Sequence, residues 1–214
     1  MDPITVTVGV VAIAISASLA LAIKKYQELR EKNAEIEDFR RSLDVYVQTY
    51  QLEGPDEELI KKCQAKIKEL FKNGIEAEFN QYDTIEKKKA FAQEVAKELA
   101  ACMNIDINNI IIEELPPGYF GATLTNDANR TIDVCFNEVL LVADPQKLIY
   151  TMCHEFKHCI QYQSFTNNKW GYSSQRVAQY LYSWNHYVNN TQEAYEKQII
   201  ELDANRFADK ILNS

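Results

Sequence analysis

The sequence predicts an α+β protein, and three observations point there. Residues 4–23 form an uncharged apolar run. Apolar residues recur at helical spacing up to Asn104, after which β-branched runs separated by turn residues take over. Helical patterning then returns and carries two histidines four residues apart, in "TMCHEFKHCIQYQ". The expected order is a transmembrane helix, a helical region, a small sheet of three or so strands, and a closing set of helices. The expected division is an anchor at 1–25, a helical stalk and N-terminal helices at 26–104, and a catalytic part at 105–214.

A chain of 214 residues suits one domain of ordinary size plus an appendage, with a core that needs no disulfide staples. The net charge of -8 argues against a general nucleic-acid binder, which needs a basic surface. The five cysteines, Cys63, Cys102, Cys135, Cys153 and Cys159, include no CxxC pair. They read as reduced, mostly buried thiols of a reducing compartment.

The first element is "ITVTVGVVAIAISASLALAI", 20 residues without a charge. A helix of that length crosses a bilayer core of about 30 Å. A cleaved secretory signal fits less well, because such signals carry positive charge ahead of the apolar run and here only Asp2 precedes it. Lys24, Lys25, Arg30 and Lys32 follow the run. Positive flanks stay inside, so a single-pass membrane protein with its large domain in the cytoplasm is expected.

Residues 26–50 continue with helical periodicity. Gly54 and Pro55 break the chain, and Asp56, Glu57 and Glu58 suit the start of a helix that runs to about Lys72. Asn73-Gly74 ends it. A second amphipathic helix follows, capped by Asp83 or Thr84, with Ile85, Phe91, Val95 and Leu99 in its apolar stripe. "NIIIEEL", "GATLTN" and "RTIDVCFNEVLL" read as strands. Three more helices are expected at 145–164, 173–188 and 191–212.

On a helix, residues i and i+4 share a face. His154 and His158 can therefore present two imidazole nitrogens to one metal ion. Glu155 is rotated by about 100° from the first ligand, which leaves it free to take a proton from a water at an open coordination position. That is the logic of HExxH: two ligands, one general base and a vertex left for water.

The third ligand has to come from elsewhere. Glu201, in "YEKQIIELDANRFADKIL", is the first candidate, because His2Glu leaves the fourth position open. Asn205 lies one turn beyond Glu201 and can accept a hydrogen bond from the outer nitrogen of a ligand histidine. His186, Asp203, Cys153 and Cys159 are the competing ligands. The two cysteines point away from the shared face and read as core thiols, and His186 reads as a packed or surface residue.

"HEFKH" and "ELDAN" together resemble the motifs of the gluzincin metallopeptidases, the thermolysin-like clan. In that clan a glutamate is followed four residues later by aspartate, and here Asn205 stands in its place. "ELDANRFA" is also similar to the corresponding segment of the ImmA/IrrE peptidases, and more loosely to that of the membrane CAAX prenyl proteases. The resemblance covers residues 140–212. It implies zincin-like C-terminal helices, zinc bound by His154, His158 and Glu201, water activated by Glu155, and a peptide substrate lying along an edge strand from the region 119–137. It also implies an oxyanion-stabilising side chain, for which Tyr172, Tyr180, Tyr182, His186 and Tyr195 are candidates.

The expectation is a membrane-anchored zinc metallopeptidase that hydrolyses peptide bonds with Glu155 as general base. The alternative is a non-catalytic, zinc-binding, membrane-tethered interaction module. The sequence supplies no obvious fourth ligand for the closed site such a module would need.

Overall fold

The computed structural model describes residues 50–126, 131–187, 191 and 195–213, together with Lys32 and Arg41. The expected anchor at 4–23 and most of the expected stalk lie outside the described residues. Among the described residues no helix is long and apolar enough to cross a membrane. The chain divides into two units, Met1–Tyr50 and Gln51–Ser214, and the second is described here.

Helix α1 (Gly54–Leu70) starts two residues earlier than expected. Glu53 and Asp56 form a reciprocal capping box, and Pro55 occupies the first turn, where its missing N–H costs nothing. Gly74, at φ 95, reverses the chain into a short helix α2 (Ile75–Phe79) that the sequence did not signal. Helix α3 (Ile85–Cys102) is capped by Thr84, whose hydroxyl accepts from the Lys87 N–H. Its buried face is Ala92, Val95, Ala96, Leu99 and Ala100.

Three strands follow: β1 (Asn109–Glu113), β2 (Gly121–Asn126) and β3 (Thr131–Asn137). The sheet order is β1-β3-β2, with β1 parallel and β2 antiparallel to β3. The central strand β3 is the most buried, and β2 is an edge. The third strand was expected to run on to Leu141. It stops at Asn137, whose carboxamide oxygen accepts from the Val139 N–H and turns the chain. Leu140–Ala143 then form the short helix α4.

Helix α5 (Pro145–Ser164) has the expected limits, with Asp144 accepting from the Lys147 N–H and Pro145 in the first turn. It is the axis of the fold, packed against the sheet, α2, α3, α4, helix α6 (Ser174–Asn185) and helix α7 (Ile199–Leu212). Phe156 meets Phe136 of β3 edge-on at 5.9 Å between centroids. The last two helices are shorter than expected. Gln198 has extended backbone, so α7 begins at Ile199 and not at 191.

A division near residue 104 is not a break in packing. Leu59 and Cys63 of α1, Val95 and Leu99 of α3, Ile112 of β1, Met152 of α5 and Phe207 of α7 share one core. The amphipathic stripes of α1 and α3 need a partner, and the sheet and α5 provide it.

Candidate metal centre

Helix α5 places His154 and His158 on one face, and α7 crosses it with Glu201 opposite. His154 Nε2 and His158 Nε2 lie 3.1 Å apart. Glu201 Oε2 is 3.3 Å from the first nitrogen, and Oε1 is 3.5 Å from the second. All three residues are buried, and they form a cluster that could hold a metal ion. Ligands about 2.0 Å from a tetrahedral centre stand roughly 3.3 Å from one another, and the three separations bracket that edge. Among the described residues Glu201 Oε2 has no hydrogen-bond partner although it is buried, which a cation among the three would remedy. The residue set therefore fits a divalent ion with nitrogen and oxygen ligands.

With no metal among the ligands, the same groups pair electrostatically. Burial opposes the charge on His158, but Glu201 outweighs it and raises the imidazole pKa to about 9. Burial likewise works against the Glu201 carboxylate, and the charge of His158 holds it well below the usual carboxylate range.

The support of His158 comes from its own helix. Gln161 donates through its amide nitrogen to the Ile200 carbonyl at 2.9 Å and to Asp203 Oδ2 at 3.0 Å. Its Oε1 is thereby turned to His158 Nδ1 at 2.8 Å. That oxygen can only accept, so Nδ1 carries the proton and Nε2 is the nitrogen left to bind metal. Asn205 was expected in this role. It instead accepts from the Tyr150 hydroxyl at 3.3 Å, and among the described residues His154 Nδ1 has no hydrogen-bond partner.

Asp203 is no ligand in this arrangement. Two residues on from Glu201 it faces the other way, where it accepts from Tyr180 at 2.7 Å and pairs with Lys157 at 3.0 Å. Lys157, inside HEFKH, is fully buried and also pairs with Asp56 of α1 and bonds the Tyr172 hydroxyl. Burial disfavours its charge, yet Asp203, Tyr172, Tyr180 and Asp56 raise its pKa well above the usual lysine value. Asp56, by contrast, is raised by burial, which the charge of Lys157 offsets only in part.

Glu155 lies beside the cluster without joining it. Its Oε2 accepts from Thr123 Oγ1 of β2 at 2.7 Å, and the same hydroxyl is 3.1 Å from the Glu155 carbonyl. The strand passes so close that a Cβ on Gly121 would stand 2.6 Å from Thr151 Cγ2 and 2.9 Å from Glu155 Cγ. Only glycine allows this approach.

A cleft of about 770 Å³ opens over these groups. Gly121, Thr123, Trp184, Tyr187 and Tyr195 line it together with His154, Glu155, His158 and Glu201. Tyr187 donates to Glu201 Oε1 at 3.0 Å. Burial raises both the Tyr187 and the Tyr195 phenols, and the Glu201 carboxylate raises them further. Tyr187 was not singled out from the sequence, since one tyrosine among twelve carries no local signal. Of the five oxyanion candidates only Tyr195 lines the cleft. Tyr172 and Tyr180 are tied to Asp56 and Asp203. Tyr182 stacks on His186 at 4.2 Å between centroids, and His186 Nδ1 lies 2.8 Å from the Tyr182 carbonyl. Cys153 and Cys159 are buried free thiols outside the cluster, and burial pushes Cys153 up to about 12.

No protein-family model, no curated protein and no solved structure matches the chain.

Proposed function

We propose that this protein is a zinc-dependent metallopeptidase of the HExxH, gluzincin-like kind, tethered to a membrane through residues 4–23 with its catalytic part in the cytoplasm. His154, His158 and Glu201 would hold the zinc. Three protein ligands, and not four, is the composition of catalytic zinc sites. A bound zinc ion supplies Lewis acidity toward water and toward a carbonyl oxygen.

The observation that carries this reading is Glu155. It is a carboxylate that lines a cleft, beside three converging ligand atoms, and it coordinates with none of them. Its role is to take the proton of the attacking water and return it to the leaving amine. Thr123 steadies the carboxylate on one oxygen and leaves the other for this work. The free edge of β2 borders the same cleft and can hydrogen-bond an extended peptide backbone. Tyr187, which donates to Glu201, and Tyr195 both line the cleft and would supply donors to an oxyanion.

The test is elemental analysis combined with peptide hydrolysis on wild-type and Glu155→Gln protein. The expected result is zinc in both and turnover in the first alone. Wild-type protein without metal, or undiminished hydrolysis by the variant, refutes the assignment.

A further inference from the structure

The cleft carries one cation that nothing in the preceding chemistry uses. Lys147 is the only Lys or Arg among the described residues that line it, where Glu155, Glu196 and Glu201 are the acids. Its ammonium sits over the ring of Tyr150, 4.3 Å from the centroid, and 5.4 Å from that of Phe120. Among the described residues it pairs with no carboxylate. The nearest acid in sequence, Asp144, accepts from the backbone N–H of Lys147. The two aromatic faces hold the side chain half-buried in one place while its charge remains free.

Position gives this cation a meaning. Seven residues separate Lys147 from His154 on α5, which brings it to within about 20° of the same helical face. The axial distance is roughly 10 Å, at 1.5 Å per residue. An extended peptide advances about 3.3 Å per residue, so this spacing equals some three residues of substrate. The chain entering β2 follows the same course, with Phe120, just ahead of the strand, beside Lys147 and Thr123 of β2 beside Glu155.

We propose that Lys147 is an anion-recognising subsite of the cleft, taking a carboxylate of the peptide about three residues from the bond to be cut. The inference rests on the peptidase reading for what a cleaved bond is, and on the geometry alone for the subsite. The carboxylate comes either from an acidic side chain or from the peptide's own C-terminus, and both present the same group to the ammonium. In a chain of net charge -8 an acidic ligand is repelled over most of the surface, so a local cation selects the register in which it enters.

The experiment uses full-length, zinc-loaded protein and a positional-scanning set of synthetic decapeptides bearing Glu, Ala or Lys at one position each, as free acids and as amides. Binding is read on Glu155→Gln protein by calorimetry, and cleavage on the wild type. One position, or the free terminus, should bind roughly 5-fold tighter with a carboxylate, the upper end for a half-exposed ion pair. Lys147→Ala should erase that preference. Lys147→Glu should invert it, so that a lysine at the same position is preferred. If amidation removes the preference, the terminus is the source; if it does not, the side chain is. An order of peptides unchanged by both Lys147 variants overturns the proposal. An order that follows Lys147 while wild-type zinc protein cuts no peptide keeps the subsite and removes the peptidase reading.

Discussion

Gln161 holds His158 from the side away from the candidate metal, Oε1 to Nδ1, at 2.8 Å. The amide is itself held by Asp203 and the Ile200 carbonyl, and Asp203 is held by the buried Lys157. A chain of contacts thus runs from α1 through α5 to the outer nitrogen of one ligand.

Gln161→Leu should leave the fold intact and loosen zinc. Loss of such an outer partner commonly costs 10–100-fold in metal affinity, which competition against a chromophoric chelator measures. Gln161→Glu keeps an acceptor for Nδ1 but sets its second oxygen against the Ile200 carbonyl and Asp203 Oδ2, where the amide donated, so it should recover the affinity only in part. Equal affinity in all three proteins would deny Gln161 any part in positioning the ring.

Lys157→Met removes the cation between Asp56 and Asp203. Two buried carboxylates then lose that cation, although Arg176 Nη1 stays 3.9 Å from Asp203 Oδ1, and breaking a buried pair from one side costs about 3–5 kcal/mol. Urea unfolding should show a loss of that size in both zinc-loaded and metal-free protein. A change below 1 kcal/mol would mean that the network adds little to stability.

Gly121→Ala introduces a Cβ 2.6 Å from Thr151 and 2.9 Å from Glu155. The strand or the carboxylate has to move. Because the three ligands are untouched, zinc content should stay at the wild-type level while kcat of any hydrolytic activity falls at least about 10-fold, since small misplacements of a catalytic group are costly. Wild-type kcat would show that β2 yields freely.

The metal-free protein should lose stability toward alkaline pH. The His158 pKa is raised from 6.5 to about 9, so its stabilising proton is fully present below pH 6.5 and is lost as the pH climbs through 9. Glu201 is depressed, so its contribution is complete above its ordinary 4.5 and fades as the pH falls below that. Melting temperatures in a chelator should decline between pH 6.5 and 9, and those of the zinc-loaded protein should decline less. Parallel curves for the two would exclude the His158–Glu201 pair as the cause.

Helix α5 was legible to the residue because its signals are local: Asp144 caps it, Pro145 opens it, and the apolar spacing is regular. The cap of α3 was narrowed to Asp83 or Thr84 for the same reason, and the fold takes Thr84. Short helices α2 and α4 were not, since five and four residues are too few to show a period. The start of α7 was placed too early because nothing in residues 191–198 marks the extended backbone of Gln198.

By itself the sequence determined which side chains share a helical face. The i, i+4 step puts His154 beside His158 in any helix and turns Glu155 aside, and the His2Glu composition of open zinc sites put Glu201 first among the candidate third ligands. It could not determine what lies behind those groups. That Glu201 meets both imidazoles, that Gln161 and not Asn205 backs His158, that Lys157 is locked between Asp56 and Asp203, and that Gly121 lets a strand lie on Glu155 were decided by packing among segments far apart in the chain. Helical periodicity is a property of neighbouring residues. Contact between Asp56 and Lys157, 101 positions apart, exists only once the shared apolar core has drawn α1 and α5 together.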